Sequence, residues 1–561
     1  MDTHLNRTRL ATLATLAALG LAHAGGTDTT SVPAANPKSA GTSAPDTLTP
    51  KLMGLRVTQA IAAQGSMPVE NPTLTAGGAS LAFYGYLDNG PLVAPPNQVT
   101  PPGGVYEATK TEPDKNTYLV LQGQHGADAA YDYGTHFLFQ GHENGKAGAT
   151  GPVCSGLTRI NLDADAAHRV TVLATQDTDG KFIPVSDGST WDPFAGRLLI
   201  SVEMGNPDGG LWQATPDYPS TVQNLATVFG HSAYEGIQID SAGNVWIVED
   251  SGGPAGAVNK QAKQPNSFVY RFVPTSAADL LLGGKLQVLQ VDSLSNPGST
   301  INFHPGQADA DILSQDVHDL HTYGLVFTTR WVTIHDTAVD GFTAFDANAL
   351  AKSHNGTPFK RPENGMFRPR SGFTDFFFTE TGDTNALTQA GSDFGGFGGL
   401  FRLRQSSPSA DTGTLSLFFK GDVAHTGLDN LAFLTATRLL SVEDAGDTLH
   451  TQRNALDSMY MFDTLADYSD PSLQPVRVLA EGRDASATFD SAAGSAGLVG
   501  FPNEGDNEIT GIHVSDGDAS VAGLLGTVIP RPFGGKWRVF WTQQHGDNFT
   551  WEIIKAPATV R

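Results

Sequence analysis

The chain has little cysteine, little positive charge and little charge of any kind. Of its 561 residues one, Cys154, is a cysteine, which excludes an internal disulfide framework and a Cys-rich zinc module. Lys and Arg number 34 against 58 Asp and Glu, a formal net charge of −24. A surface of that sign repels polyanions and attracts cations, so nucleic acid is not an expected partner. Only 16% of residues are charged, too few for a coiled coil or a salt-bridged helical bundle. No run approaches the ~20 apolar residues of a membrane span, so no stable membrane insertion is expected. What is abundant is Gly (63) and Pro (33), set between short apolar runs, and the 39% apolar content suffices for a large core.

Residues 1–24 read as an export signal. Arg7 and Arg9 supply the positive start, Leu10 to Leu21 is mostly apolar, and Ala22-His23-Ala24 is a small-x-small cleavage site. A periplasmic or secreted location follows as the expectation. Residues 25–77, beginning with a Thr/Ser/Ala/Pro-rich stretch, are predicted to be a flexible N-terminal segment. Residues 78–561 are predicted to form a single domain.

Within that domain six runs share one pattern: an apolar strand, polar or acidic residues, then Gly. They end at Gly141-His142-Glu143-Asn144-Gly145, Val202-Glu203-Met204-Gly205, Val248-Glu249-Asp250-Ser251-Gly252, Thr379-Glu380-Thr381-Gly382, Val442-Glu443-Asp444-Ala445-Gly446 and Gln543-Gln544-His545-Gly546. Several are preceded by a partner strand that opens on a carboxylate: Glu235, Glu363, Asp429 and Glu508. Repeated β units of this kind predict an all-β fold, a six-bladed β-propeller. At roughly 80 residues per blade, longer than the ~40–50 of short-blade repeats, long inter-strand insertions are required, around 283–311 and 446–475. Helices should be few and short, with Ser276–Leu282 and Asp346–Ser353 the best candidates.

In a propeller, equivalent strand ends meet at one channel mouth. Glu143, Glu203, Glu235, Glu249, Glu363, Asp429 and Glu508 would then converge, and bare anions cannot crowd together unpaid. Hard cations with oxygen ligands resolve this, and Ca²⁺ takes six to eight of them. His318-Asp319-Leu320-His321 also offers two ring nitrogens, but no third ligand accompanies them, and ordinary polar roles are expected there.

The order and spacing of the motifs resemble the PhoX-type alkaline phosphatase family over roughly residues 130–550. Gly141-His142-Glu143 is similar to its Asn-His-Glu metal motif, and Ser189-Thr190-Trp191 through Glu203 to its Thr-Pro-Trp segment. His231 through Asp250 resembles its acidic hairpin, with Tyr234 where the family has His. Arg361-Pro362-Glu363, Asp429-Asn430-Leu431, Thr510-Gly511 and Gln544-His545-Gly546 resemble later family elements. The resemblance implies a propeller holding calcium and iron, ligation by Glu143, Glu235 and Glu363, and a phosphate grip by Arg361. The family's iron-ligating Cys is replaced here by the Ser186-Asp187-Gly188-Ser189 stretch, which leaves calcium as the expected cation and iron as an open question. His231 and His545 are candidate acid/base groups. The substrate expected is a small phosphate monoester, and the chain is expected to be a monomer. Two alternatives stand beside this: a lactonase-like calcium-dependent propeller hydrolase, for which a phosphate clamp is unnecessary, and a non-enzymatic extracellular calcium-binding propeller.

Overall fold

The computed structural model describes residues 51–52, 55–65, 67–75, 80–87, 111–143, 156–445, 449, 452–453, 457–481, 508–544 and 548–556. The export signal, Cys154 and His545 lie outside them.

The described chain is a succession of antiparallel meanders with few short helices. The first comprises Pro113–Val120, His136–His142, Leu157–Asn161 and Val170–Ala174. The second comprises Ser189–Asp192, Arg197–Val202, Gly210–Ala214 and Val222–Asn224. A nine-stranded sheet holds the third (Tyr234–Ile239, Val245–Glu249, Val269–Pro274, Gly284–Val291, then Phe327–Asp336) and the fourth (Gly365–Phe367, Asp375–Glu380, Gly399–Gln405, Thr412–Lys420). They join where Phe327–Arg330 pairs with Thr412–Leu415. The fifth runs Leu428–Phe433, Arg438–Glu443, Asp457–Asp463, Val476–Glu481. The last has Glu508–Ser515, Arg538–Gln544 and Thr550–Lys555.

This last sheet is completed from the other end of the chain. Leu55–Ala63 pairs antiparallel with Thr550–Lys555, from Val57 opposite Lys555 to Ala63 opposite Thr550. The flexible segment placed at 25–77 is thereby corrected: the sheet-forming chain begins before residue 78. Local sequence concealed this strand, because its exposed positions include Leu55 and Ile61 as well as Arg56, and the partner that pairs with it lies some 490 residues away.

The sheets stack face to face, as alternation along each strand shows. Leu198 and Ile200 pack toward the first meander, and Leu199 between them toward the third. Phe376 and Phe378 pack against Trp246 and Val248 of the third meander, and Phe377 toward the fifth. Phe540 and Tyr118 meet in the cluster that joins the last meander to the first. Strands buried on both faces read as continuous apolar runs, which is why Phe376-Phe377-Phe378 carries no period of two. The first strands of the meanders pack beside one another in chain order, and the last beside the first. The result is a propeller-like arrangement around these innermost strands.

Both expected helices form, as Leu280–Leu282 (a 3₁₀ turn) and Ala347–Ser353, capped by the Asp279 and Asp346 side chains. The insertions are less irregular than expected: Gly284–Val291 and Asp457–Asp463 are strands. Among the described residues no helix is long and apolar enough to cross a membrane.

Candidate metal centre

Three hairpins share one register, and that register decides which carboxylates face the mouth. Pro113 stands opposite His142, Tyr234 opposite Glu249, and Leu428 opposite Glu443. Residues opposite one another project to the same side of a sheet, and their successors to the other. Asp114 and Glu143, Glu235 and Asp250, and Asp429 and Asp444 are those successors. Each hairpin also breaks register immediately after the paired residue, between Pro113 and Asn116, Tyr234 and Ile237, and Leu428 and Leu431. Such bulges re-aim side chains at sheet ends.

These six carboxylates, with Asp187, Glu203 and Glu363, line one cavity of about 210 Å³ together with Arg361, Thr384 and Ala445. Two triads are especially tight. Asp114, Glu143 and Asp187 can bring one oxygen each within 4.8 Å of one another, and so can Glu235, Asp250 and Glu363. Close approach of the innermost strands makes this convergence possible. A Cβ on Gly236 would lie 2.6 Å from the Asn364 Cα, and one on Gly188 would lie 2.9 Å from the Glu235 carbonyl oxygen. Gly236 N–H donates to the Glu363 carbonyl at 2.9 Å, tying two meanders together at the acid ring.

Burial and mutual repulsion leave these groups reluctant to ionise without a counter-charge. Burial first, and then Asp114 and Glu143, hold Asp187 well above the usual carboxylate range. Burial first, and then Glu363 and Asp187, do the same to Glu235. Glu363 is pushed up to about 7 by burial and Asp250, against the opposing pull of Arg361. Asp250 is the exception: burial pushes it up, but the Arg361 guanidinium outweighs that and holds it below its ordinary value. Arg361 Nε and Nη2 both donate to Asp250, at 2.8 and 2.6 Å, and Nη2 lies 3.3 Å from Glu363. Gln544 supplies the neutral counterpart in the last meander, donating to Asp114 at 3.2 Å and to Glu143.

Beneath the ring a second polar layer crosses the innermost strands. Lys115 Nζ donates to Asn364 Oδ1 at 2.8 Å, and Asn364 Nδ2 donates to Asn430 Oδ1 at 2.8 Å. Burial drags Lys115 down to about 8, although Asp429, Glu235, Asp114 and Asp187 all pull it up. One ammonium and one guanidinium against nine carboxylates leave a large charge deficit.

The donor set fits hard cations. Asp187 Oδ1 and Glu235 Oε2 are buried in the ring without a hydrogen-bond partner, an arrangement that costs free energy unless something else meets those lone pairs. All the candidate ligands are oxygens, and neither Cys nor His is among the described lining residues. Asp114, Glu143 and Asp187 would hold one ion, and Glu235, Asp250 and Glu363 another.

Of the residues singled out from sequence, Glu143, Glu203, Glu235, Glu363, Asp429 and Arg361 line the cavity. Glu249 does not. It faces the sheet interior, accepting from Ser232, from Tyr270 at 2.9 Å, from Asn348 at 2.7 Å and from Phe268 N–H at 3.0 Å. The residue at the mouth is its successor, Asp250. Glu508 pairs with Gln544 at the start of its strand and is not among the lining residues. His231 is away from the cavity, its Nδ1 2.8 Å from the Gly209 carbonyl and its backbone bonded to Phe345. His321 is buried against Glu380 at 2.8 Å while His318 is exposed, so the His-x-x-His pair holds no common ligand.

The sequence reading passed over Asp114, Asp250, Asp444 and Gln544 as ring members. Asp114 opens Asp114-Lys115-Asn116-Thr117, a polar stretch with none of the apolar signal of a strand. The offset of one residue from the Glu of each Val-Glu-Asp run was the available clue for Asp250 and Asp444.

No family model matches the chain, and no curated protein matches it. Among solved structures it is similar to YCF48 from Cyanidioschyzon merolae, at 9% identity and a TM-score of 0.28, over 74% of this chain and 77% of that one. It is also similar to the Pseudomonas aeruginosa periplasmic gluconolactonase PpgL, at 12% identity and a TM-score of 0.27, over 76% and 97%.

Proposed function

We propose that the chain is an exported, calcium-dependent hydrolase of phosphate monoesters, acting at the acid-ringed mouth of a six-bladed propeller. The blade count is supported by the circuit of innermost strands, with the nine-stranded sheet read as two blades joined edge to edge. The observation that carries the functional reading is the single guanidinium set among nine carboxylates. A cation store alone has no use for Arg361 at its centre, whereas a substrate bearing an oxyanion does. Arg361 keeps 23% of its side chain exposed, and among the described residues its Nη1 makes no hydrogen bond. Asp250 holds the other edge of the fork, so the guanidinium is oriented before any substrate arrives.

Bound calcium would supply charge neutralisation for the phosphoryl oxygens. The protein's own contribution is positional. The ring residues fix where cations sit, Asp250 aims Arg361, and Arg361 meets the oxygen charge that grows as the ester bond breaks. The motif resemblance to PhoX-type phosphatases points to the same chemistry, and export agrees with the signal-like residues 1–24.

The test is hydrolysis of p-nitrophenyl phosphate by purified protein with calcium, with a γ- or δ-lactone assayed in parallel. Calcium-dependent phosphate release, lost on chelation and reduced about 10²–10³-fold in Arg361→Ala, is the expected result. Calcium-loaded protein that leaves the ester intact overturns the reading, and lactone opening in its place would favour a lactonase.

A further inference from the structure

The fourth meander carries an excess of arginine on the face it turns toward the fifth. Phe401 and Leu403 pack toward the third meander, so Arg402 and Arg404, which alternate with them along one strand, project to the other side. Asp375 stands opposite Arg404 on the neighbouring strand and shares that face. Arg402 Nε donates to Asp375 Oδ1 at 2.7 Å and its Nη2 to Oδ2 at 2.5 Å. Arg368 Nη1 lies 3.6 Å from the same Oδ2, and Arg404 Nε lies 3.9 Å from Oδ1. Three guanidiniums thus share one carboxylate, in a chain of formal charge −24.

Asp375 is spent on Arg402, whose planar fork takes both of its oxygens. Arg404 is left with a long ion pair and, among the described residues, no hydrogen bond. Burial first, and then Arg402, lower its proton affinity, with Arg368 adding to this and Asp375 opposing it. The space in front of the pair is open. Arg402 and Arg404 both line a cleft of about 310 Å³, walled on the far side by residues 466–469 of the fifth meander and by Tyr323. A water needs roughly 10–15 Å³ of such space, so the cleft admits a ligand the size of a sugar ring.

The remaining walls say what else the ligand carries. Phe418 and Tyr468, with ring centroids 5.4 Å apart, supply apolar surface. Ser416, opposite Arg402, adds a hydroxyl that no described residue engages. Asp467 brings a carboxylate into the same cleft, with Oδ1 taken by the Ser469 N–H and hydroxyl. An oxyanion answers the surplus guanidiniums, while Asp467 disfavours a second negative charge and accepts from hydroxyl groups. We infer that this cleft is a binding site for a sugar acid, its one carboxylate paired with Arg404 and Arg402 and its hydroxyls turned to Asp467 and Ser416. The site shares no lining residue with the acid mouth and does not depend on the hydrolase reading.

The experiment is calorimetric titration of the purified full chain with D-glucuronate, D-glucose and inorganic phosphate, in wild type, Arg404→Met, Arg404→Lys and Arg361→Ala. Wild type is expected to bind glucuronate and not glucose. Arg404→Met should weaken glucuronate binding about tenfold, and Arg404→Lys should recover part of it, since the charge returns without the fork. The Arg404 side chain is 56% exposed, so both variants should melt as wild type does. Arg361→Ala should bind glucuronate as wild type does. Equal glucuronate affinity in wild type and Arg404→Met overturns the site, as does a wild type that binds no glucuronate. Loss of binding in Arg361→Ala with retention in Arg404→Met moves the anion to the acid mouth and overturns it too. Phosphate bound through Arg404 more tightly than glucuronate overturns the assignment to a sugar acid.

Discussion

At the scale of single residues, the protein separates two kinds of buried acid that look identical in the sequence. Glu249 and Asp250 are neighbours, but they project to opposite sides of one strand. Four donors hold Glu249 inside the sheet stack. Asp250 lies in the mouth, within reach of Glu235 and Glu363. Their substitutions should therefore fail differently. If the ring holds calcium as proposed, Asp250→Asn is expected to lower calcium content, because a ring carboxylate is neutralised and the fork that orients Arg361 is weakened. Glu249→Gln should leave calcium content near wild type and cost about 1–3 kcal/mol of stability, since a buried hydrogen-bond network loses a matched acceptor. Metal analysis beside chemical denaturation checks both, and equal metal loss in the two variants would refute the assignment by register. Glu443, paired with Arg453 at 3.0 Å, belongs with Glu249, and Asp444 belongs with Asp250.

At the scale of elements, the innermost strands must approach one another more closely than side chains allow. Gly236 is where this is tightest, packed on the Asn364 backbone with its N–H bonded to the Glu363 carbonyl. A methyl there forces the third and fourth meanders apart at the level of the ring. Gly236→Ala is expected to destabilise the fold by about 1–3 kcal/mol through overpacking and to weaken calcium binding, because Glu235 and Glu363 flank the contact. Thermal melting with and without calcium measures both effects. Wild-type values in both would show that the strands have slack.

The same scale explains what could be read from the chain. Long apolar strands such as Phe376-Phe377-Phe378 and Val245-Trp246-Ile247-Val248 announce themselves, as do the turns that follow. The strand Pro113–Val120 does not, because its mouth-facing end, Asp114-Lys115-Asn116, is polar and carries part of the ring and of the layer beneath it. Arg361 and Glu363 owe their meeting to a loop and not to a shared strand face. They lie in non-strand chain before Gly365–Phe367, with Arg361 at a φ of 61°, and meet because the loop turns there.

For the whole molecule, the ring is a standing electrostatic debt in the metal-free state. Glu363, raised to about 7 from an ordinary 4.5, binds its proton more tightly folded than unfolded. Its contribution to stability is present at low pH and is lost as pH rises from about 4.5 through about 7. Glu235, Asp187, Glu203, Asp114 and Asp429 are raised in the same sense. Chelated protein should thus melt at a higher temperature near pH 5 than near pH 8. Calcium should oppose this trend, since it favours the ionised ring, and a hundredfold excess over Kd at one site adds about 2.7 kcal/mol. A chelated protein whose melting temperature is flat across that range would refute the account.

The residues alone determined that the chain is acidic and β-rich, that a strand-and-acid unit recurs, and that several acids occupy equivalent places in it. Those properties are local, carried by composition and by spacing within some twenty residues. Which acid of each pair faces the mouth was decided by tertiary structure. It depends on a register between strands and on bulges that shift it, and one residue of slip turns a mouth-facing carboxylate into a buried hydrogen-bond acceptor. The placement of Asp114 beside Glu143 and Asp187, the strand that Leu55–Ala63 adds to the far end of the chain, and the cleft that Arg402 shares with Asp467 are likewise long-range facts. They arise from closing the sheets around an axis, which brings together residues whose separation in sequence carries no trace of their contact.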